Sequence, residues 1–421
     1  MRASELRQRF LAGLGTRAAV LRALVRAAEA RGARVYLVGG PVRDLLLERP
    51  AGDVDVLVAD AEPEPLARAL AAELGERVRA HARFLTATLE VGDFRVDLAQ
   101  PRRERYARPG ALPEVEPTSF EEDFRRRDFS IHAMALPLHP AAGAEIVDLH
   151  GGIADLEQRR LRTLHAASFA DDPTRLLRAG RYAARLELSL EPGTRDAFEQ
   201  ALAGGALDTV SGERILHELE RLLQEPDPAR AARWLQVHAV WQALEWSWVE
   251  GLAEPPLGRL ANARRDPPWA EARAGEVLRG CGLRILLLGA SPRAQVGSLA
   301  RLGLSGRPAE ELRADLQALH ELADFLAGHP SDGQLDAQLS TWGEAALLLA
   351  YCVLEPADAD AVQRYACELR PQPAPFDGHA ARALGLSGPA IGEFLRSARA
   401  RALDGLPVDE RWQRDWLAQH R

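Results

Sequence analysis

Two aspartates separated by one residue are the side chains whose spacing points most directly to chemistry. They are Asp53 and Asp55, in the run LVGGPVRDLLLERPAGDVDVLV from Leu37 to Val58. Because side chains alternate across a β-strand, residues i and i+2 point the same way. Two carboxylates aimed at one point repel each other unless a cation lies between them, and hard divalent ions prefer such oxygen ligands. The pair therefore predicts a metal site.

A glycine pair lies shortly before these aspartates. Gly39 and Gly40 follow an apolar strand predicted over 35–38, and a helix is predicted over 41–47. Free backbone N–H groups and the positive end of a helix favour a bound phosphate. Each motif alone is common, either as a simple turn or as a strand-edge acid pair. In this order they are predicted to share one edge of a small sheet, where metal and phosphate together indicate nucleotidyl or phosphoryl transfer.

A third carboxylate is a candidate for the same metal site. Asp97 lies in RVDLA, on the strand that follows a hairpin turn predicted at Gly92 and Asp93. There it would complete a three-acid cluster with Asp53 and Asp55. The alternative is an acid that only ends its strand.

Two arginine-rich motifs lie further along the chain. RRRDFSIHAMAL, from Arg125 to Leu136, suits gripping a triphosphate and a sugar hydroxyl, and a charged loop before a strand is its alternative. In FADDPTRLLRAGRYAARL, Asp172 and Arg175 are three residues apart, which predicts one helix face, with Arg178 a turn later. A carboxylate acceptor beside a guanidinium donor matches the base edge of adenine or cytosine and not that of guanine or uracil. The alternative is an exposed helix salt bridge, which contributes only about 0.3–0.5 kcal/mol.

The elements that must position these residues change type along the chain. One amphipathic helix is predicted over residues 1–30, and a helix over 63–74 lies among β-type segments. After residue 148 the pattern is almost entirely helical. The predicted strands cover 34–38, 53–58, 84–91, 93–99 and 133–138, and the first later helices cover 173–186, 194–202, 212–223 and 228–235. The sequence predicts an α+β head followed by a long helical part.

Composition excludes several classes of protein. The 421 residues are 47% hydrophobic and 27% charged, which is typical of globular chains, and the net charge of −8 argues against a nonspecific nucleic-acid coat. A local basic groove stays open, as does a solvated face, for the arginine cluster at Arg102, Arg103, Arg105 and Arg108. Three cysteines without metal-ligand spacing predict core residues in a reducing compartment. With no signal-peptide pattern and no apolar run long enough for a bilayer, we expect a cytoplasmic protein without a membrane partner.

The motif order resembles a known family. GGPVRDLLL with DVD, then RRDFSIHAM, DLHGG, DDPTRLLRAGRYAARL and SGERILHEL, are similar to the five motifs of the class II tRNA nucleotidyltransferases (CCA-adding enzymes) and bacterial poly(A) polymerases, over about residues 34 to 225. The resemblance implies a polymerase-β-like nucleotidyltransferase head at 1–148 and an all-helical neck for base selection at 149–225. The segment 226–421 is assigned by position only, as an all-helical body and tail that bind tRNA.

The resemblance also implies chemistry. It implies Mg²⁺-dependent transfer of nucleoside monophosphate from ATP and CTP to the 3′ end of tRNA, with release of pyrophosphate. The implied site residues are Asp53 and Asp55 as metal ligands, Gly39, Gly40 and Arg43 in the triphosphate motif, Arg126, Arg127 and Asp128 on triphosphate and ribose, Asp172 and Arg175 as the template for the base with Arg178 in support, and Asp148 and Gly151 in the hinge motif. Asp97 is added to them as a third catalytic carboxylate on the basis of its strand position.

Three residues depart from the family pattern. His132 stands where the family usually has Asn, and Asp171 replaces a Glu. Gly180 interrupts a helix that usually carries a larger residue, at a cost of about 1 kcal/mol relative to Ala.

The resemblance leaves CCA addition, CC-only addition, A-only addition and poly(A) synthesis open. In the family that the sequence resembles, CC-only enzymes lack part of the loop that corresponds to residues 100–119. The full-sized loop here therefore argues for addition of the terminal A, and the mixed charge of the last residues argues against poly(A) synthesis. CCA addition and A-only addition are therefore preferred. A catalytically silent RNA-binding homologue is the alternative from another class, and the intact Asp53 and Asp55 speak against it. Oligomeric state is not predicted.

Overall fold

The computed structural model describes residues 3–50, 54–81, 84–92, 94–105, 114–249, 254–265, 267–270 and 274–420. The chain divides into two compact units, Met1–Ser211 and Gly212–Arg421. The boundary between them lies inside the segment predicted as the neck. The three-part division into head, neck, and body with tail stays a prediction.

The first unit is built on a seven-stranded sheet with strand order β3-β4-β5-β2-β1-β8-β9. Only the β2–β5 pair is parallel among these neighbours; the other pairs are antiparallel. Two further pairs stand outside it, antiparallel β6–β7 and parallel β10–β11. The strands are β1 (Arg34–Val38), β2 (Val54–Ala59), β3 (Arg77–His81), β4 (Thr86–Val91), β5 (Phe94–Ala99), β6 (Arg102–Arg105), β7 (Glu114–Pro117), β8 (Met134–Pro137), β9 (Val147–Asp148), β10 (Arg160–Leu161) and β11 (Ser189–Leu190).

The described residues of this unit contain nine α-helices. They are α1 (Ala3–Leu14), α2 (Ala18–Glu29), α3 (Gly40–Leu46), α4 (Pro63–Leu74), α5 (Phe120–Arg125), α6 (Gly152–Glu157), α7 (Ser168–Asp171), α8 (Thr174–Leu186) and α9 (Pro192–Ala203). The prediction of one helix over 1–30 is wrong, because a 3₁₀ turn at Gly15–Arg17 separates α1 from α2. Gly15 has φ +57°, a left-handed conformation that a continuous α-helix does not contain.

The strand register places Asp55 and the glycine pair at the same end of two neighbouring strands, as predicted. β1 and β2 are antiparallel, with Leu37 opposite Val56, so the end of β1 lies beside the start of β2. Gly39 follows β1 directly, and Asp55 is the second residue of β2. The edge strand β3 was not predicted, although the alternation of its apolar residues Val78 and Ala80 with polar ones was an available signal.

The predicted hinge motif joins the sheet to the helices that follow it. Asp148 caps α6, since its carboxylate accepts hydrogen bonds from the backbone N–H groups of Gly152 (2.8 Å) and Ile153 (2.9 Å). A Cβ atom on Gly152 would lie 2.3 Å from the carbonyl oxygen of Ser130. Gly151 has φ +72°. The close approach of two backbones therefore requires glycine at position 152.

In the described residues of the second unit, all regular structure is helical. Its α-helices are α10 (Gly212–Leu223), α11 (Pro228–Val237), α12 (Val240–Ala243), α13 (Glu254–Ala263), α14 (Ala274–Leu287), α15 (Pro292–Arg301), α16 (Arg307–Ala327), α17 (Asp332–Leu339), α18 (Glu344–Val353), α19 (Pro356–Arg364), α20 (Gly378–Ala383), α21 (Pro389–Leu403) and α22 (Glu410–Gln419). Cys281 and Cys352 are buried and Cys367 is half-buried. Among the helices of the described part of the chain, none has the length and apolar character needed to span a bilayer.

We expect Gly152→Ala to destabilise the first unit by about 1–3 kcal/mol, because the new methyl group would press on the Ser130 backbone rather than on a movable side chain. Urea unfolding followed by circular dichroism would measure the loss. Gly13→Ala is the matched control, since Gly13 lies exposed in α1 with no atom within 4 Å of an added Cβ. That change should be neutral or stabilise by up to about 1 kcal/mol. Equal shifts in the two variants would contradict the steric explanation.

Candidate active site

Two of the three predicted metal-binding carboxylates lie on one face of the sheet. Asp55 in β2 is the direct register partner of Asp97 in parallel β5, so both side chains point the same way. Asp97 accepts a hydrogen bond from Thr88 Oγ1 at 2.5 Å, and Arg95 Nη2 lies 2.9 Å from Asp97 Oδ2. Asp53 lies outside the described residues. Among the residues that the model describes, no group of three or more His, Cys, Asp or Glu side chains is arranged to hold a metal, so the complete metal cluster stays a prediction.

The glycine pair lies against two arginines. Gly39 has φ +71° and donates its N–H to the carbonyl of Met134, and Gly40 is the first residue of α3. A Cβ atom at Gly39 would lie 3.5 Å from Arg127 Nη1, and one at Gly40 would lie 3.5 Å from Arg43 Nη2. The structure therefore brings together Gly39, Gly40, Arg43 and Arg127, all of which the sequence predicted for the triphosphate.

Asp123 is a site residue that sequence reasoning missed. It is completely buried, and its two carboxylate oxygens accept hydrogen bonds from Arg126 Nη2 at 2.7 Å and Arg127 Nη2 at 3.0 Å. Burial alone would raise the pKa of Asp123, but the charges of both arginines outweigh it and lower that pKa. Its spacing of three and four residues before the two arginines was the available signal, because such residues adjoin on a helix.

Arg126 also holds the hairpin formed by β6 and β7. Its Nη1 donates to Glu104 Oε1 at 2.7 Å and its Nε donates to the carbonyl of Arg102 at 2.8 Å, both in β6. These contacts join the start of the 100–119 loop to α5, while residues 106–113 of that loop lie outside the described residues. The predicted contact of Arg126 with triphosphate therefore competes with an existing set of ionic contacts.

Asp172 and Arg175 do not share a helix face, and that prediction is wrong. Asp172 precedes Pro173, which disfavours helical backbone in the residue before it, and α8 begins only at Thr174. The Asp172 carboxylate caps this start by accepting from the Thr174 N–H (3.1 Å) and hydroxyl (2.6 Å). Asp171, the shorter replacement for Glu, ends α7 and lies 3.8 Å from His165.

Arg175 is nevertheless buried and makes specific hydrogen bonds. Only 5% of it is exposed, so an exposed helix salt bridge does not describe it. Its Nη1 donates to Ser168 Oγ at 2.5 Å, and its Nη2 donates to the carbonyl of Arg126 at 2.7 Å. Arg175 therefore joins the RRRDF motif to the candidate template motif.

Four guanidinium groups surround the ring of Tyr182. Sequence reasoning singled out two of these arginines, Arg43 and Arg178, and missed the other two. The guanidinium carbons lie 4.7 to 5.6 Å from the ring centroid, and belong to Arg43, Arg178, Arg181 and Arg185. Within α8 the residues 178, 181, 182 and 185 have the spacing i, i+3, i+4 and i+7, which marks one helix face and was the available signal. So many positive charges on one face suit a polyanion.

A hydrogen-bonded chain connects Arg43 to Arg178. Arg43 Nη1 lies 2.5 Å from His132 Nε2, and His132 Nδ1 lies 2.8 Å from Asp128 Oδ1. Arg178 then donates to Asp128 Oδ2 through Nη2 at 2.5 Å. Because a guanidinium can only donate, Nε2 must be the acceptor, and Nδ1 carries the proton that His132 donates to Asp128. The predicted nucleotide ligands Arg43, Asp128 and Arg178 therefore form one connected group.

Burial and ion pairing set the charges in this chain. Burial lowers the pKa of His132 to about 4, although the Asp128 carboxylate opposes the shift. Burial would raise the pKa of Asp128, but Arg178 outweighs it and holds that pKa well below its usual range. Burial also lowers the pKa of Arg43, which Asp44 opposes. At neutral pH the chain therefore contains a neutral imidazole between a guanidinium and a carboxylate.

Comparison with known proteins relates this chain to tRNA nucleotidyltransferases. A family model described as the poly(A) polymerase head domain matches residues 35–162. An A-adding tRNA nucleotidyltransferase of Halalkalibacterium halodurans is 40% identical over 246 residues, which are 57% of this chain and 57% of that protein. This chain thus spans little more than half the length of that relative. A CC-adding tRNA nucleotidyltransferase of Deinococcus radiodurans is 39% identical over 275 residues, covering 65% of this chain and 68% of that protein.

A solved structure extends the similarity to the whole chain. The complex of a CCA-adding enzyme with CTP has a TM-score of 0.74 and 26% sequence identity, and the match covers 100% of this chain and 98% of that one. The polymerase-β-like head with its mixed sheet and the helical part that follows agree with the predicted fold class. On the match to two thirds of a relative at 39% identity and on this shared architecture, the chain belongs to the class II tRNA nucleotidyltransferase family.

Proposed function

We propose that this protein is a metal-dependent nucleotidyltransferase that extends the 3′ end of tRNA. The observation that carries the proposal is the sheet edge where Gly39 and Gly40 lie beside the strand of Asp55, whose register partner is Asp97. This edge combines a phosphate-binding turn with paired carboxylates. The names of the two relatives, both tRNA nucleotidyltransferases, support tRNA as the acceptor. A cytoplasmic location stays a prediction.

We propose Mg²⁺ as the metal, held by Asp53 and Asp55 with Asp97 beside them. Hard carboxylate oxygens on one face of neighbouring strands fit this ion, and the family generally uses a divalent metal. When bound, such ions activate the attacking hydroxyl and stabilise the leaving pyrophosphate. Arg95 is paired with Asp97, so a metal bound by that carboxylate would compete with this ion pair.

The nucleotide would lie between the glycine pair and α8. Arg43 and Arg127, together with the arginines around Tyr182, would bind the triphosphate, and Asp128 would contact the ribose. Asp172 and Arg175 would read the base of ATP or CTP from the start of the same helix. Asp172 lies in the turn before α8 and Arg175 lies at the start of that helix, so the two do not share a helix face. Their position relative to each other therefore depends on Pro173 and on the contacts of Arg175 with Ser168 and Arg126.

We propose CCA addition, or addition of its terminal A, as the reaction. The relative that adds A and the solved complex with CTP are both consistent with this range. The full length of the 100–119 loop in the sequence supports addition of A, and its strand β6 is tied to Arg126. The relative that adds CC keeps CC-only addition as the second candidate.

The test is incorporation by the purified full chain on tRNA transcripts that end before CCA, after the first C, and after CC. Each transcript is supplied with one nucleoside triphosphate at a time and Mg²⁺. We expect AMP to be added to the CC-ended transcript. CMP addition to the shorter transcripts would then identify full CCA addition, and its absence would identify A-only addition. Addition of CMP without AMP would contradict our preferred reaction, and addition to none would favour the silent RNA-binding alternative.

Loss of a group that only supports a metal ligand lowers activity roughly 10–100-fold. We expect Asp55→Asn, which changes a ligand itself, to lower nucleotide incorporation by more than that. The amide keeps the shape of the side chain but removes the charge that binds the metal. Binding of tRNA, measured by gel shift, should change little. Asp60→Asn is the matched control, because Asp60 follows the other end of β2 and pairs with the exposed Arg34. Activity retained by the Asp55 variant would show that the metal assignment is wrong.

We expect Arg175→Lys to reduce the preference for ATP over GTP by about 10-fold or more on the CC-ended transcript. An ammonium group keeps the positive charge but loses the planar fork that would face the base, and a charged hydrogen bond contributes about 1.5–3 kcal/mol. The ratio of kcat/KM for the two nucleotides measures the effect. Arg159→Lys serves as control, since Arg159 forms an exposed ion pair with Glu187. An unchanged ratio, or a loss confined to tRNA affinity, would argue against base reading by Arg175.

A further inference from the structure

His132 is the link on which the chain between Arg43 and Arg178 depends. Arg43 comes from α3 beside the glycine pair, whereas Arg178 comes from α8, and 135 residues separate them in sequence. The hydrogen bonds between them pass through the two His132 ring nitrogens and the two Asp128 oxygens. Removal of the imidazole would leave Arg43 without an acceptor at Nη1 and would leave Asp128 Oδ1 without its side-chain donor.

We propose that His132 is a positioning residue of the nucleotide site, which holds the triphosphate side at Arg43 and the ribose side at Asp128 in one fixed geometry. This inference rests on the proposed function, because it assigns those two sides to parts of a nucleotide. His132 itself need not touch the nucleotide: it is 6% exposed, and its role is to fix the two groups that do.

The chemistry of the ring explains why histidine suits this position. A neutral imidazole offers one acceptor and one donor on different atoms, and both are used here, toward Arg43 and toward Asp128. The side-chain amide of asparagine offers the same combination, an accepting oxygen and a donating nitrogen. Asparagine at position 132 would therefore keep the order of donors and acceptors, whereas an apolar side chain would supply neither.

The surroundings fix both the charge and the orientation of the ring. With a pKa near 4, His132 stays neutral at the pH of an enzyme assay, so Nε2 remains free to accept from Arg43. Tyr182 packs edge-on against the ring, with centroids 4.3 Å apart, and Phe129 lies on another side at 6.2 Å. The Phe129 N–H also donates to Asp128 Oδ1 at 2.9 Å. These contacts hold the two nitrogens toward their partners.

The same geometry predicts which kinetic constants depend on His132. Without the imidazole, Arg43 and Asp128 would no longer be fixed relative to each other, so ground-state binding of the nucleotide should weaken. Selection of a ribose over a deoxyribose should also weaken, because the Asp128 carboxylate would lose its orientation. Binding of the tRNA body should not change.

The test compares His132→Leu and His132→Asn in the full chain, with the CC-ended tRNA transcript as acceptor. We expect His132→Leu to raise the KM for ATP by about 10-fold or more and to lower the preference for ATP over dATP, since each lost contact is a hydrogen bond to a charged group. His132→Asn should stay within about 3-fold of the unmodified protein in both measurements. An Asn variant as impaired as the Leu variant, or a Leu variant with unchanged preference for ATP over dATP, would overturn the proposal.

His139→Leu is the matched control. His139 is a second buried histidine, 3% exposed, and its Nδ1 lies 3.4 Å from Glu29 instead of near the nucleotide ligands. Its replacement should leave the ATP over dATP preference unchanged. If His139→Leu also lost that preference, the effect would come from a general disturbance of the fold, and the specific role of His132 would be overturned.

A second measurement does not depend on activity or on a folded Leu variant. Imidazole nitrogen NMR of the unmodified protein at neutral pH should show His132 neutral, with the proton on Nδ1 and none on Nε2. The opposite tautomer or a charged ring would overturn the proposal. If the unmodified protein adds no nucleotide to any transcript while the NMR result is as expected, the proposed function fails and the His132 chain stands as a structural feature.

Discussion

The candidate site depends on the position of β2 between an antiparallel neighbour, β1, and a parallel neighbour, β5. The antiparallel pairing brings the end of β1, and therefore Gly39, to the start of β2. The parallel pairing brings Asp97 of β5 level with Asp55 of β2. A shift of one residue in either register would turn one carboxylate to the opposite face of the sheet. The positions of the glycine turn and of the two carboxylates are therefore fixed by backbone pairing before any side chain contributes.

Buried carboxylates hold the arginines of the site in place. Asp123 receives hydrogen bonds from Arg126 and Arg127, and Asp128 receives them from Arg178 and His132. Burying a charge costs free energy unless it is paired and its hydrogen bonds are satisfied, and each of these carboxylates makes at least three such contacts. Such groups are poor contributors to net stability, so their retention at this site is better explained by the geometry that they impose on the guanidinium groups.

Periodicity and turn chemistry made the local elements of the fold predictable from the sequence. The strand at 34–38, the hairpin turn at Gly92 and the helix at 63–74 agree with the structure, because a short apolar run, a glycine turn and a proline start are local signals. The relation of Asp172 to Arg175 was mispredicted, since spacing alone does not show that Pro173 delays the start of α8. The convergence of Arg43 with the arginines of α8 on Tyr182 was missed because it joins distant parts of the chain, although the spacing within α8 was a local signal for the other three arginines. The position of Asp53 and its metal role stay predictions.

The chain has a negative net charge, whereas the side chains gathered around Tyr182 are predominantly positive. A net charge of −8 argues only against nonspecific attraction of nucleic acid over the whole surface. Around Tyr182, four guanidinium groups converge, and two carboxylates pair with members of this group, Asp128 with Arg178 and Asp44 with Arg43. At physiological ionic strength, charges farther away than about 8 Å are largely screened, so a bound triphosphate would respond to this local group rather than to the distant acidic residues. An acidic chain can therefore bind an anionic substrate tightly at one place while the rest of its surface avoids other nucleic acids.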